Sequence, residues 1–194
     1  MIAAIALLVI AISWRLLGLS HRDDYSWVHN FAPLSAIALC GAFVLPRRYA
    51  FTLPLVALLV TDIALNLKWG FPVVSTQMIA RYFVLAAISG AGWWLRRHPQ
   101  VTVVLGTSAL CSVLFYFVTN SVAWWVDPGY AKNFEGWSQA LVGGLPGFPT
   151  TLVFFRNSLM SDVAFTALFL LCFRVSKPAL AAPAEHQPEV ARWI

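Results

Sequence analysis

The chain has 194 residues, 60% of them hydrophobic and only 11% charged, with a mean hydropathy of +0.74. That balance excludes a soluble globular domain and belongs to a polytopic membrane protein. The net charge of +5 does not signal nucleic acid, because the basic residues fall in pairs between apolar runs rather than along one face.

The first apolar run, Ile2 to about Leu19, lacks the positively charged start of a secretory signal, and Ser13, Trp14 and Arg15 stand where a small-residue cleavage site would fall. It reads as a retained first span. After the link HRDDYSW comes VHNFAPLSAIALCGAFVL, the second span, closed by the basic break PRRY. A third run, Ala50 to about Leu67, contains Asp62 and Asn66. The link KWGFPVVS separates it from a fourth, Thr76 to Leu95, closed by RRHPQ. The fifth runs from Val101 to about Val126, and a polar, Gly/Pro-rich link from Asp127 to Pro149 precedes the sixth, Thr150 to Phe173. At about 20 residues per crossing, six spans nearly exhaust the chain. The expected fold is all-α: a bundle of six transmembrane helices over residues 1–175, then a disordered cytoplasmic tail, residues 176–194, with Ala, Pro and Glu.

Lys and Arg in the short links set the orientation. Arg47, Arg48, Arg96, Arg97, Arg174 and Lys177 fall on one side, against Arg22, Lys68 and Lys132 on the other. Both termini are therefore expected on the cytoplasmic side of the membrane. Trp27, Trp69, Trp124, Trp125 and Trp137 then fall near the outer surface and Trp93 and Trp94 near the inner one, as interfacial aromatic belts do.

The sixth run, TTLVFFRNSLMSDVAFTALFLLCF, carries Arg156, Asn157, Ser158 and Asp162. An Asp or Arg at the centre of a spanning helix costs roughly 3 kcal/mol on insertion scales, so such groups face a partner or a wet cavity. The other spans contribute to the same layer. His29 and Asn30 open the second span outside, Asp62 and Asn66 lie in the outer half of the third, Gln77 and Arg81 in the outer half of the fourth, and Asn120 near the outer end of the fifth. Arg156 and Asn157 lie in the outer half of the sixth, with Asp162 near mid-depth. Asp62 with Asn66, Gln77 with Arg81, and Ser158 with Asp162 are each four apart and share a helix face. The inner halves are almost wholly apolar. This pattern predicts a substrate-binding pocket open to the outside and closed towards the cytoplasm, lined by these ten residues.

The bland alternative is that polar groups in neighbouring spans hydrogen-bond to one another, at around 0.6 kcal/mol per bond, and that an Asp–Arg pair neutralises itself without any ligand. His29 is as readily an interface residue or cap, and Asn30 can cap the second span. Asp62, Arg81 and Asp162 carry more weight for a site because they are ionisable and deeper. Cys40, Cys111 and Cys172 are odd in number and lie in apolar runs, which implies small buried hydrophobes rather than a disulfide framework.

Enzyme chemistry finds little support. Ser158 and Ser161 lack a nearby base, the histidines do not converge, and no HExxH, CxxC or GxxxxGK[ST] run exists, so neither a metal site nor a nucleotide site is expected and no resident cofactor is implied. A metal would have to arrive with the ligand, as in cobalamin, which His29 would approach from outside. The link from Asp127 to Pro149, with Trp137, Gly143, Gly144 and Gly147, reads as a lid over the outer mouth or as an interfacial helix with a flexible end.

The strings NFAPLSAIALCGAF, LPLVALLVTDIALN, LFYFVTNSVAWW and FFRNSLMSDVAFTALF, in this order, resemble an uncharacterised bacterial family of small six-span membrane proteins, a domain of unknown function, from about His29 to Phe169. That family in turn resembles the substrate-binding S components of energy-coupling factor (ECF) vitamin transporters in size, span count and pocket side. The resemblance implies capture of a vitamin or similar micronutrient, followed by toppling in the lipid membrane against an ECF transmembrane subunit driven by ATPases. One device of S components is missing: Ala3, Ala4 and Ala6 are followed four residues on by Leu7, Leu8 and Ile10, so the first span lacks a small-residue docking stripe. Small pairs do occur at Ala38 and Ala42 and at Ala87 and Ala91, where internal packing is the expected use. An uptake protein working alone, or a non-transport accessory or assembly subunit of a larger membrane complex, remains the alternative.

Overall fold

The computed structural model describes residue 6, residues 9–13 and residues 32–176. His29, Asn30 and the tail after residue 176 lie outside the described residues. Among those described, the chain is helical and contains no strand. The bounded helices are α1 (Leu34–Val44), α2 (Thr52–Trp69), α3 (Thr76–Leu95), α4 (Val101–Val126), α5 (Phe134–Val142) and α6 (Thr151–Ser176).

Three of these are long and apolar enough to cross a membrane: α3, α4, and α6 over Thr151–Cys172. Among the described residues that is fewer than the six crossings expected, the first of which, residues 2–19, lies largely outside them. The clearest difference is at the second run, where the helix begins only after Pro33 and spans 11 residues. At about 1.5 Å per residue it reaches roughly 16 Å, half of a hydrocarbon core of about 30 Å. Pro33 has no amide hydrogen to offer and no side chain that can cap, so the first amides of α1 must find acceptors elsewhere.

This short helix is the centre of the molecule. Every residue from Leu34 to Ala42 is buried, and α2, α3, α4 and α6 all pack around it, α3 most extensively. The close approach rests on small residues. A Cβ on Gly92 of α3 would collide with the Leu39 carbonyl of α1 and lie 3.0 Å from the Ala42 methyl, and Gly41 of α1 faces the Pro54 ring of α2 in the same way. The Ser89 hydroxyl of α3 donates to the Ala38 carbonyl at 3.5 Å. Ala38 and Ala42 are thus packing residues inside the bundle, as expected. Ala87, by contrast, is exposed.

The helix ends follow local chemistry. Ser75 caps α3, accepting from the Met78 amide at 3.2 Å, and Asn133 caps α5, accepting from Gly136 at 2.8 Å. Gly70 ends α2 at φ 70°, a left-handed residue that lets its amide bond back to the last turn. Outward faces of the long helices carry large apolar side chains, among them Ile79, Phe83, Leu110 and Leu171, which suits a lipid surround rather than water.

Candidate functional site

The polar residues expected to share one layer separate into distinct clusters. The first joins α2 to α3. These helices form a hairpin closed by the Asn66 amide, which donates to the Pro72 carbonyl at 3.2 Å. The closure places Asp62, seven residues before the end of α2, against Arg81 and Tyr82 in the second turn of α3. Arg81 Nη1 donates to Asp62 Oδ1 at 3.2 Å and the Tyr82 hydroxyl donates to Asp62 Oδ2 at 2.8 Å. The carboxylate is buried while 34% of the Arg81 side chain stays exposed. Gln77, one turn earlier, is exposed.

The second cluster lies between α1, α4 and α6. Asp162 is wholly buried. Its Oδ1 accepts the Ala36 amide in the first turn of α1 at 2.9 Å, its Oδ2 accepts the Ser112 hydroxyl of α4, and Ser35 lies beside the same carboxylate. One turn further along α6, the Thr166 hydroxyl meets Ser108 of α4 at 2.8 Å and the Cys40 thiol of α1 at 3.8 Å. This column supplies the acceptor that Pro33 cannot: a carboxylate from another helix serves as the N-cap of α1, where the helix dipole favours negative charge. At the other end of α1 the Arg96 side chain, just past α3, donates through Nε to the Ala42 carbonyl at 2.8 Å and through Nη2 to Leu45 at 2.5 Å.

The remaining candidates sit apart. Asn120 donates to the Tyr116 carbonyl of its own helix at 2.8 Å. The Arg156 guanidinium is exposed and donates to the Oδ1 of its buried neighbour Asn157, through Nε at 3.2 Å and Nη2 at 3.1 Å. Among the described residues no three His, Cys, Asp or Glu side chains converge to hold a metal ion. A shallow groove of about 290 Å³ lies at the opposite end of α3 from Arg81, lined by Gly90, Trp93, Trp94 and Arg97.

The link between α4 and α6 is built as a docked helix rather than a loop. Trp137 Nε1 donates to Ser121 at 3.0 Å and its ring meets Phe117 edge-on. The Tyr116 hydroxyl donates to the Leu141 carbonyl, and Trp124 Nε1 donates to Ala131 at 2.8 Å. The link contains the short helix α5, with Gly144 and Gly147 at positive φ just beyond it.

Sequence reasoning missed Tyr82, Ser108, Ser112 and Thr166. A signal for three of them existed: Ser108 with Ser112 and Asp162 with Thr166 are four apart on facing helices, whereas the pair singled out, Ser158 with Asp162, runs towards the other end of α6.

Among the described residues, a helical bundle with three helices long and apolar enough to cross a membrane and with buried ionisable groups marks the class of membrane-like helical proteins with polar clusters between their helices. The chain belongs to a family of unknown function, DUF6580, whose model matches residues 1–184. No curated protein and no solved structure matches it.

Proposed function

We propose that this protein is a substrate-binding membrane protein that captures a vitamin or similar micronutrient from the outer side of a bacterial inner membrane, working with an ECF-type module or alone. The observation that carries this reading is the Asp62–Arg81–Tyr82 cluster. A buried carboxylate there fixes an arginine whose guanidinium remains partly exposed, on a helix whose outward face also carries large apolar side chains such as Ile79 and Phe83. An ionisable residue within an apolar helix is costly and marks a functional site by default. In this reading six runs cross the membrane with both termini inside, α1 forms the inner half of the second crossing, and α5 covers the outer mouth. Asp162 then serves by holding α1 in place behind the site.

The test is ligand identification on the gently purified protein, by absorbance and mass spectrometry of extracted small molecules. A stoichiometric compound retained by the Cys172→Ala control and lost from Asp62→Ala and Arg81→Ala supports the reading. An empty protein that brings down a fixed protein partner sinks it in favour of an accessory subunit, unless that partner is an ATPase module.

A further inference from the structure

Arg81 makes one hydrogen bond within the described part of the protein, through Nη1 to Asp62. A guanidinium carries five N–H donors in a planar fork, which matches two oxygens of a carboxylate or phosphate side by side. Here one edge of the fork is anchored by a carboxylate that Tyr82 holds from its other oxygen, so the guanidinium plane is oriented while the opposite edge has no partner among the described residues. Side chains of a helix lean towards its N-terminal end, which tilts Arg81 towards Gln77 and the first turn of α3. Gln77 is exposed and one turn away on the same face. The positive end of the α3 dipole lies there too. The Asp62–Arg81 pair is close to neutral overall, so what the site offers is a directed set of donors rather than net positive charge.

We infer that the edge of the Arg81 guanidinium not bonded to Asp62 binds a single oxyanionic group, a carboxylate or a phosphate, with Asp62 and Tyr82 as positioning residues and the Gln77 amide as a second donor. This rests on the capture reading only for the source of the oxyanion. The same chemistry is presented by a soluble ligand and by the headgroup of an anionic lipid.

The experiment reads Arg81 directly in the intact chain, by phenylglyoxal modification and peptide mass spectrometry in phosphatidylcholine nanodiscs. Arg97, exposed at the other end of α3, is the internal reference. Inorganic phosphate and benzoate are the soluble probes, against chloride at equal ionic strength, and phosphatidylglycerol nanodiscs are the lipid probe. The expected result is a severalfold slower modification of Arg81 relative to Arg97 with at least one probe. Protection by phosphate or benzoate assigns a soluble source. Protection by phosphatidylglycerol alone keeps the oxyanion site and removes the capture of a soluble compound from it. An unchanged Arg81 to Arg97 ratio with all three overturns the inference. In that last case, a co-purifying uncharged compound that Arg81→Ala releases would still leave the capture reading standing.

Discussion

Asp162 and Arg96 hold opposite ends of one helix. The Asp162 carboxylate accepts the Ala36 amide at the start of α1, and the Arg96 guanidinium donates to the Ala42 and Leu45 carbonyls at its finish. Negative charge at the N-terminus and positive charge at the C-terminus both complement the helix dipole. Two side chains from different helices thereby satisfy groups that an 11-residue helix, buried throughout its first nine residues, cannot satisfy with water.

Removing the first of these anchors should be costly. Asp162→Ala leaves the Ala36 amide and the Ser112 hydroxyl buried without this acceptor, a loss of about 3 kcal/mol. Asp162→Asn retains an oxygen for one of them and should lose less. Unfolding in mixed micelles titrated with SDS measures both, and an alanine variant as stable as the parent would refute the capping role.

The second anchor should be weaker and coupled to the first. Arg96→Ala gives up donors from a partly exposed side chain to the carbonyls of buried Ala42 and Leu45, about 1–2 kcal/mol. Because both residues fix the same helix, the double variant Asp162→Ala/Arg96→Ala should cost less than the two single losses added. Strict additivity in the same unfolding assay would mean that the two ends are held independently.

Two glycines of α3 two residues apart should respond in opposite ways. Gly92→Ala drives a methyl into the Leu39 carbonyl and should cost about 1–3 kcal/mol, as overpacking does. Gly90→Ala meets nothing within 4 Å and should be neutral or stabilising by up to about 1 kcal/mol through helix propensity. Equal thermal stability of the two variants would show that α1 and α3 do not pack as closely as described.

The docked α5 should be separable from the bundle. Trp137→Ala removes its contact with Phe117 and its bond to Ser121, so proteolysis between residues 127 and 149 should speed up several-fold with little change in global unfolding. If cleavage is unchanged, Tyr116 and Trp124 suffice to hold the link. If global stability falls as well, α5 belongs to the cooperative core.

The helices that hydropathy marks most clearly were the most legible. Thr76 to Leu95 and Val101 to Val126 fall where the apolar runs begin and end, because basic and Pro-containing breaks bound them. The Asp62–Arg81 contact was open to inference too, since both are ionisable groups at matching depth on consecutive runs. What stayed hidden was the partner of Asp162. Its acceptors are filled by a backbone amide and a serine, and a backbone amide has no sequence signature. The short length of α1 was hidden for a related reason: a run of apolar residues reports that a segment is buried, but not whether it is helical throughout. Pro33 was the visible clue, read within an apolar run rather than as a helix start.

The anchoring of α1 also sets an order of manufacture. Ala36 and Asp162 are 126 residues apart in the chain, and at about 5–20 residues per second the ribosome delivers the carboxylate roughly 6–25 s after the amide it caps. Throughout that interval the start of α1 must lean on water or the insertion machinery. Nascent chains released before α6 would therefore carry this helix start without its carboxylate cap, which distinguishes an unfinished copy from a finished one.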